Sequence, residues 1–180
     1  MNIKVLFLNG YHHNIPLINL PIEMKVYNVY DIEITACTGC FTCWRKTKNQ
    51  GTCIRKDITE EIKNEFISSD CVVILSPVEF GSYNYHIKKV LDRLIPLIPP
   101  LFRIVDHQLQ QDLFHKNYPY LYVIGIDNNL SVDEMSSFQS LVEKNAKTFH
   151  SPKWNVSFYQ KTIIQNELEK VVANLLELGD

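Results

Sequence analysis

Four cysteines in the first third of the chain are spaced like a site rather than a core. They read Cys37-Thr-Gly-Cys40-Phe-Thr-Cys43-Trp, with Cys53 ten positions on, a C-x2-C-x2-C-x9-C spacing. Thiolates so arranged serve three chemistries. Three ligands in a tight turn with a distant fourth suit an iron–sulfur cubane. The same four suit tetrahedral zinc, although zinc motifs usually pair two separated C-x2-C units. The third is a metal-free turn, in which the thiols pack, make weak hydrogen bonds or close a redox disulfide. The fifth cysteine, Cys71, opens an apolar run and reads as core.

A second group follows that run. Cys71-Val-Val-Ile-Leu75 leads into Ser76-Pro77-Val78-Glu79-Phe80-Gly81-Ser82, an apolar strand ending in a loop rich in Ser and Gly. Backbone N–H groups and Ser hydroxyls in such a loop can bond the polar edge of a flat ligand, and Gly81 removes a Cβ from the approach. Ser76 has no recognisable His and Asp partners and no nucleophile-elbow sequence, which argues against hydrolysis. The chain has no G-x-G-x-x-G fingerprint and no phosphate-binding G-x-x-x-x-G-K-[ST] loop. His107 and His115 lie in a helical or loop stretch with no carboxylate partner in view.

The elements that must position these groups are legible from periodicity. Ile3–Leu8, Lys25–Val29, Cys71–Leu75, Tyr120–Ile126 and Trp154–Tyr159 read as strands. Runs such as Val-Val-Ile-Leu are apolar on both faces, as parallel strands covered on each side require. Asp57 and Glu60 have capping-box spacing and open a helix carrying Ile58, Ile62 and Phe66. Ile87, Val90, Leu91, Leu94 and Ile95 share a helix face until Pro96. Ser131 and Glu134 form a second capping box, before Val132, Met135, Phe138, Val142 and Phe149. A last helix carries Ile164, Leu168, Val171, Val172, Leu175 and Leu176.

Five strands alternating with helices predict a doubly wound α/β sandwich of three layers, its parallel sheet in the order 2-1-3-4-5. Ligands of such sheets sit beyond the carboxyl ends of the strands. That brings Asn9–Asn14, Ser76–Tyr85 and Asp127–Ser131 around one crevice, with the cysteine segment on the same rim. At 180 residues without a linker, one domain over residues 1–180 is expected. Residues are 46% hydrophobic and 21% charged, and the net charge of -2 leaves no footprint for nucleic acid or an anionic membrane. The N-terminal run lacks the basic start and cleavage site of a signal peptide, and no apolar stretch reaches the ~18 residues of a membrane span. Five cysteines in such a chain suggest a reducing, cytoplasmic setting.

With these residues in view, the chain resembles the flavodoxin-like NADPH-dependent FMN reductase and iron–sulfur flavoprotein superfamily. The resemblance rests on Ala36-Cys-Thr-Gly-Cys-Phe-Thr-Cys-Trp, Lys46-Thr47 and Gly51-Thr-Cys53-Ile-Arg-Lys-Asp57. It continues in Ser76-Pro77-Val78, Phe80-Gly81-Ser82, Ile87-Lys88 and Leu91-Asp92-Arg93. It implies a flavodoxin-like fold, bound FMN, a homodimer or higher homo-oligomer, and electron transfer from a nicotinamide or a ferredoxin-like donor. By position it places Asn9, Gly10, His12, His13 and Asn14 toward the phosphate, Ser76 to Ser82 toward the ring, and Asp127 and Asn128 on the far side. Cys37, Cys40, Cys43 and Cys53 are the implied cluster ligands.

The chain also departs from that pattern. Relatives carry a Ser/Thr/Gly-rich phosphate loop and a long helix after strand 1. Here Asn9-Gly-Tyr-His-His-Asn-Ile-Pro-Leu-Ile-Asn-Leu-Pro21 runs to the second strand by about Lys25, near the minimum for a parallel crossover. A short helix offers a phosphate fewer free N–H groups and a weaker dipole. A scaffold that has lost flavin and serves as a non-catalytic binding subunit is therefore an alternative to the enzyme. Glu79 stands where an aromatic is common, as an anion disfavouring the reduced ring or as a proton relay. His86 replaces a common Gln. The final cysteine gap is longer than in the iron–sulfur relatives, which leaves cluster and bare turn both open.

Overall fold

Successive residues of the first strand point to opposite sides of the sheet, and both sides are dry. Val5 and Phe7 enter one apolar cluster, Leu6 and Leu8 the other. The computed structural model describes residues 3–12, 22–45, 51–112 and 117–177; His13, Asn14, Lys46–Gln50 and His115 lie outside the described residues. The strands are β1 (Lys4–Asn9), β2 (Glu23–Asn28), β3 (Cys71–Glu79), β4 (Ser82–Tyr83), β5 (Phe102–Val105), β6 (Gln108–Gln111), β7 (Tyr120–Ile126) and β8 (Trp154–Tyr159). The helices are α1 (Thr59–Ser68), α2 (Tyr85–Arg93), α3 (Val132–Thr148) and α4 (Lys161–Glu177).

The main sheet runs β2-β1-β3-β7-β8 with every one of these neighbours parallel. Counting only parallel strands, this is the expected 2-1-3-4-5 order. Ile62 and Phe66 of α1, Ile87, Val90 and Leu91 of α2, and Phe138 and Val142 of α3 cover one face. Ile164, Leu168, Val171 and Val172 of α4 cover the other. Buried Cys71 starts β3 as a core residue, its thiol pushed up to about 12 by burial and then by Asp70.

Three local expectations change. The segment Ser76–Ser82 is not an open loop: β3 continues through it, pairing Ser76 with Gly125 and Pro77 with Ile126. It then folds back so that Val78 faces Tyr83 and Glu79 faces Ser82. Phe80 and Gly81 make the turn at φ 52° and 72°, the mirror-image turn whose twist suits a two-residue hairpin. Second, the helical or loop stretch around His107 is a β5–β6 hairpin, turned at Asp106 and His107 with φ 50° and 61°. Third, the capping box of Asp57 and Glu60 does not close: the Asp57 carboxylate accepts from the Thr59 amide at 3.0 Å, while the Glu60 amide donates to the Asp57 carbonyl at 3.3 Å. Ile58, the residue before α1, makes no side-chain bond of its own, and the Asp57 carboxylate is shared between the helix start at Thr59 and the Thr35 amide and Arg93 guanidinium. The box at α3 forms as expected: Ser131 Oγ accepts from the Glu134 amide at 3.2 Å, and Glu134 accepts from the Ser131 amide at 3.1 Å.

Candidate functional site

At the carboxyl ends of β1 and β3 the expected ligand-facing side chains are engaged with one another. Asn9 is buried; its Oδ1 accepts from the Tyr11 amide at 2.8 Å and its Nδ2 donates to Asn28 Oδ1 at 2.9 Å. Ser76 is fully buried, donates to the Pro77 carbonyl at 2.8 Å and accepts from the Asn84 amide at 3.1 Å. Asn84, which sequence reasoning passed over, is the hub. Its Nδ2 donates to the Gly10 carbonyl at 2.7 Å, and its Oδ1 caps α2 by accepting from Ile87 at 3.2 Å. Gly10 is a glycine for the same reason: a Cβ there would lie 2.5 Å from Ile87 Cγ1 and 2.9 Å from Asn84 Oδ1. An Asn followed by a helical apolar pattern was the available signal.

On the far side, Asp127 Oδ1 accepts from the amides of Asn128 at 2.5 Å and Asn129 at 3.2 Å, and Lys161 lies 3.6 Å from its other oxygen. Burial opposes its ionisation, but these amides and the lysine outweigh it and hold the carboxyl below the usual range. Asn128 Oδ1 accepts from the Lys161 amide at 3.2 Å, at the start of α4. Asn9, Gly10, Ser76, Asp127 and Asn128 thus build the rim. Through these bonds Asn9, Ser76, Asp127 and Asn128 brace the rim, and Gly10 joins it through its carbonyl.

What remains exposed at the rim is a smaller set. Val78 is buried and Pro77 half-buried, whereas Glu79 is exposed and Phe80 is 99% exposed at the hairpin tip. Ser82 is half-buried and His12 exposed. Gly81 is buried against α3, where a Cβ would meet Ser137 Cβ at 2.8 Å; its freedom serves this packing and the φ of the turn. His12, Tyr30, His86 and Tyr85 form a file of rings, with successive centroids 4.4, 4.6 and 5.1 Å apart. Burial, then the Lys89 ammonium, hold His86 below the ordinary imidazole range. Its buried Nδ1 has no partner. A neutral imidazole with one unsatisfied nitrogen fits a flat polar ligand that brings a hydrogen-bonding edge.

The cysteine segment forms a second, adjoining site. Cys37, Cys40, Cys43 and Cys53 line one cavity with Thr38, Phe41, Ile54, Arg55 and Ile95. Backbone turns at Gly39 and Phe41, φ 64° and 53°, lead into a single 3-10 turn at Thr42–Trp44. The Gly51 amide donates to the Cys43 carbonyl at 2.9 Å, and Lys63 Nζ to the Gly51 carbonyl at 2.9 Å. The thiols sense one another: Cys43 is pushed up first by burial and then by Cys53. Cys40 is held below the ordinary thiol range by the Thr42 hydroxyl and amide. Among the described residues no three His, Cys, Asp or Glu side chains yet converge in a metal-holding group, and all five cysteines are free thiols. Four soft donors on one cavity nonetheless fit an iron–sulfur cluster by their chemistry.

No family model matches the chain. Over 78 residues it is 32% identical to an iron–sulfur flavoprotein of Archaeoglobus fulgidus, taking in 43% of this chain and 34% of that one. Over 76 residues it is 33% identical to an iron–sulfur flavoprotein of Methanocaldococcus jannaschii, taking in 42% and 37%. The chain therefore matches about a third of the length of these relatives. In structure it is similar to an FMN-dependent NADH-azoreductase from Bacillus anthracis solved with FMN. The TM-score is 0.63 at 14% identity, over 97% of this chain and 99% of that one. That likeness establishes the flavodoxin-like fold.

Proposed function

We propose that the chain is an FMN-dependent oxidoreductase that takes electrons from a nicotinamide donor and passes them to an acceptor. The observation that carries this reading is the meeting of the β1, β3 and β7 carboxyl ends at one rim, crowned by the Glu79–Ser82 hairpin. This is where sheets of this order hold their ligands. FMN, when bound, supplies the hydride and electron chemistry. The protein's part is to flank the ring with the hairpin backbone, Phe80 and Ser82, and to offer His86 Nδ1 to a polar edge. Glu79 places an anion beside the reduced ring and lowers its potential. His12 carries the phosphate side of the proposal, together with His13 and Asn14. The name of the structural neighbour, an FMN-dependent NADH-azoreductase, supports the donor class. Free cysteines support a reducing, cytoplasmic setting. No helix among the described residues is long and apolar enough to cross a membrane. A homodimer belongs to the same proposal, supported by an exposed apolar face on the β5–β6 hairpin.

A second reading is favoured by a specific observation. The four cysteines line one cavity, and both sequence relatives bear the name iron–sulfur flavoprotein. In that reading Cys37, Cys40, Cys43 and Cys53 hold a cluster that exchanges single electrons with a ferredoxin-like partner. One anaerobic absorption spectrum of freshly purified protein tests both. Flavin bands alone support the oxidoreductase without a cluster, and added brown absorption that bleaches in air supports the second reading. Colourless protein that takes up no added FMN overturns both and leaves a flavin-free binding scaffold.

A further inference from the structure

The last turn of α2 buries an arginine that grips both ends of the cysteine segment. The Arg93 side chain is 1% exposed. Its Nη1 donates to the Thr35 carbonyl at 2.6 Å and to Asp57 Oδ2 at 2.9 Å. Its Nη2 donates to the Arg55 carbonyl at 3.0 Å and to Asp57 Oδ1 at 3.1 Å. Thr35 stands two residues before Cys37, and Arg55 two residues after Cys53. The Thr35 amide in turn donates to Asp57 Oδ2 at 3.3 Å. One planar group therefore fastens the entrance of the thiol-bearing loop to its exit.

We propose that Arg93 is a positioning residue for the four-cysteine site, closing the loop from Thr35 to Asp57 so that its thiols share one cavity before a metal arrives. This inference rests on the second reading above. A loop whose ends are already joined has less conformational entropy left to lose when its side chains converge on an ion. Four bonds in one plane require the guanidinium fork; a lysine brings a point charge and cannot span two carbonyls and both carboxylate oxygens. Arg93 Nε is buried with no partner, and a buried ion pair by itself stabilises a fold little. The geometry is explained by what the guanidinium holds. The same helix begins at Asn84, so the rim and the cysteine loop hang on opposite ends of one nine-residue strut.

Anaerobic titration of the reduced full-length apoprotein with Co2+, read by thiolate-to-cobalt charge-transfer absorption, tests the proposal. Arg93→Lys should weaken Co2+ binding about 10–100-fold, the range for outer-sphere partners of metal ligands. A core control that leaves the Arg93 contacts intact, Ile62→Val, should keep wild-type affinity. Arg93→Lys affinity within twofold of wild type, or an equal loss in Ile62→Val, overturns the inference. Should Arg93→Lys fail to fold, Asp57→Asn, which keeps the carbonyl bonds and removes the charge pair, must show the same loss. A wild type that binds no Co2+ defeats the cluster reading alone. Hydrogen exchange of the apoprotein then decides. Amides of 36–45 and 51–56 must exchange faster in Arg93→Lys, with those of β3 and β7 unchanged, and equal loop exchange overturns the positioning role.

Discussion

Gly81 shows how one residue type admits two physical explanations that only geometry separates. In the sequence it reads as a gap that lets a flat ligand approach. In the structure its missing Cβ makes room for α3, with Ser137 Cβ 2.8 Å from where that atom would be, and its φ of 72° is one that L side chains rarely adopt. Both terms act against any substitution. Gly81→Ala should destabilise the fold by about 2–3 kcal/mol, from the left-handed backbone and local overpacking. Urea unfolding would measure this. Adding Ser137→Gly should recover part of the packing loss as a coupling in a double-mutant cycle; strictly additive values would show that Ser137 is not the obstacle. Under the proposed function, a loss of FMN affinity in Gly81→Ala is expected to come through a displaced hairpin and not through the added Cβ itself.

At the scale of elements, α2 connects the two candidate sites, and its first residues carry the rim. Asn84 caps the helix and also satisfies the buried Gly10 carbonyl. Asn84→Ala should therefore cost more than an ordinary cap, about 2–3 kcal/mol against the usual ~1. Asn84→Asp keeps the cap acceptor but loses the donor to Gly10, and should fall between wild type and Ala. Thermal unfolding of the three proteins checks the order; an Asp variant no better than Ala would remove the cap from the account. Elements set by local periodicity were legible: the five parallel strands, the α3 capping box and the apolar faces of α1 to α4. Features settled by distant partners were not. Asp57 has the spacing of a capping residue and does accept from the Thr59 amide, but its second partner Arg93 lies 36 residues away, where no local pattern could show it. The candidate site was legible as a set of segments and illegible atom by atom. Nothing in the sequence around Asn9 and Ser76 announces their partners, Asn28 and Asn84, which strand pairing and helix capping bring beside them.

For the whole molecule, the β5–β6 hairpin is the part the main sheet does not account for. Its pairing sets Ile104 opposite Leu109 and Phe102 opposite Gln111, so Phe102, Ile104 and Leu109 share one face. That face is open, with Ile104 76% and Leu109 71% exposed. A two-stranded ribbon is marginal in water without a surface to pack on, and contiguous exposed apolar side chains mark association sites. A net charge of -2 offers little repulsion between copies. Two hairpins meeting face to face would bury both apolar strips in one symmetric contact, as a twofold dimer requires. Sedimentation velocity should find a dimer across the micromolar range, and Ile104→Glu with Leu109→Lys should convert it to monomer while far-ultraviolet circular dichroism stays native. The paired charges are chosen to salvage the hairpin itself, since opposite charges facing across two strands attract. A monomeric wild type, or a dimer indifferent to the double substitution, would place the contact elsewhere. Retained FMN affinity in the monomeric variant would further show that each rim is complete within one chain, whereas its loss would mean that the second copy covers part of the ring.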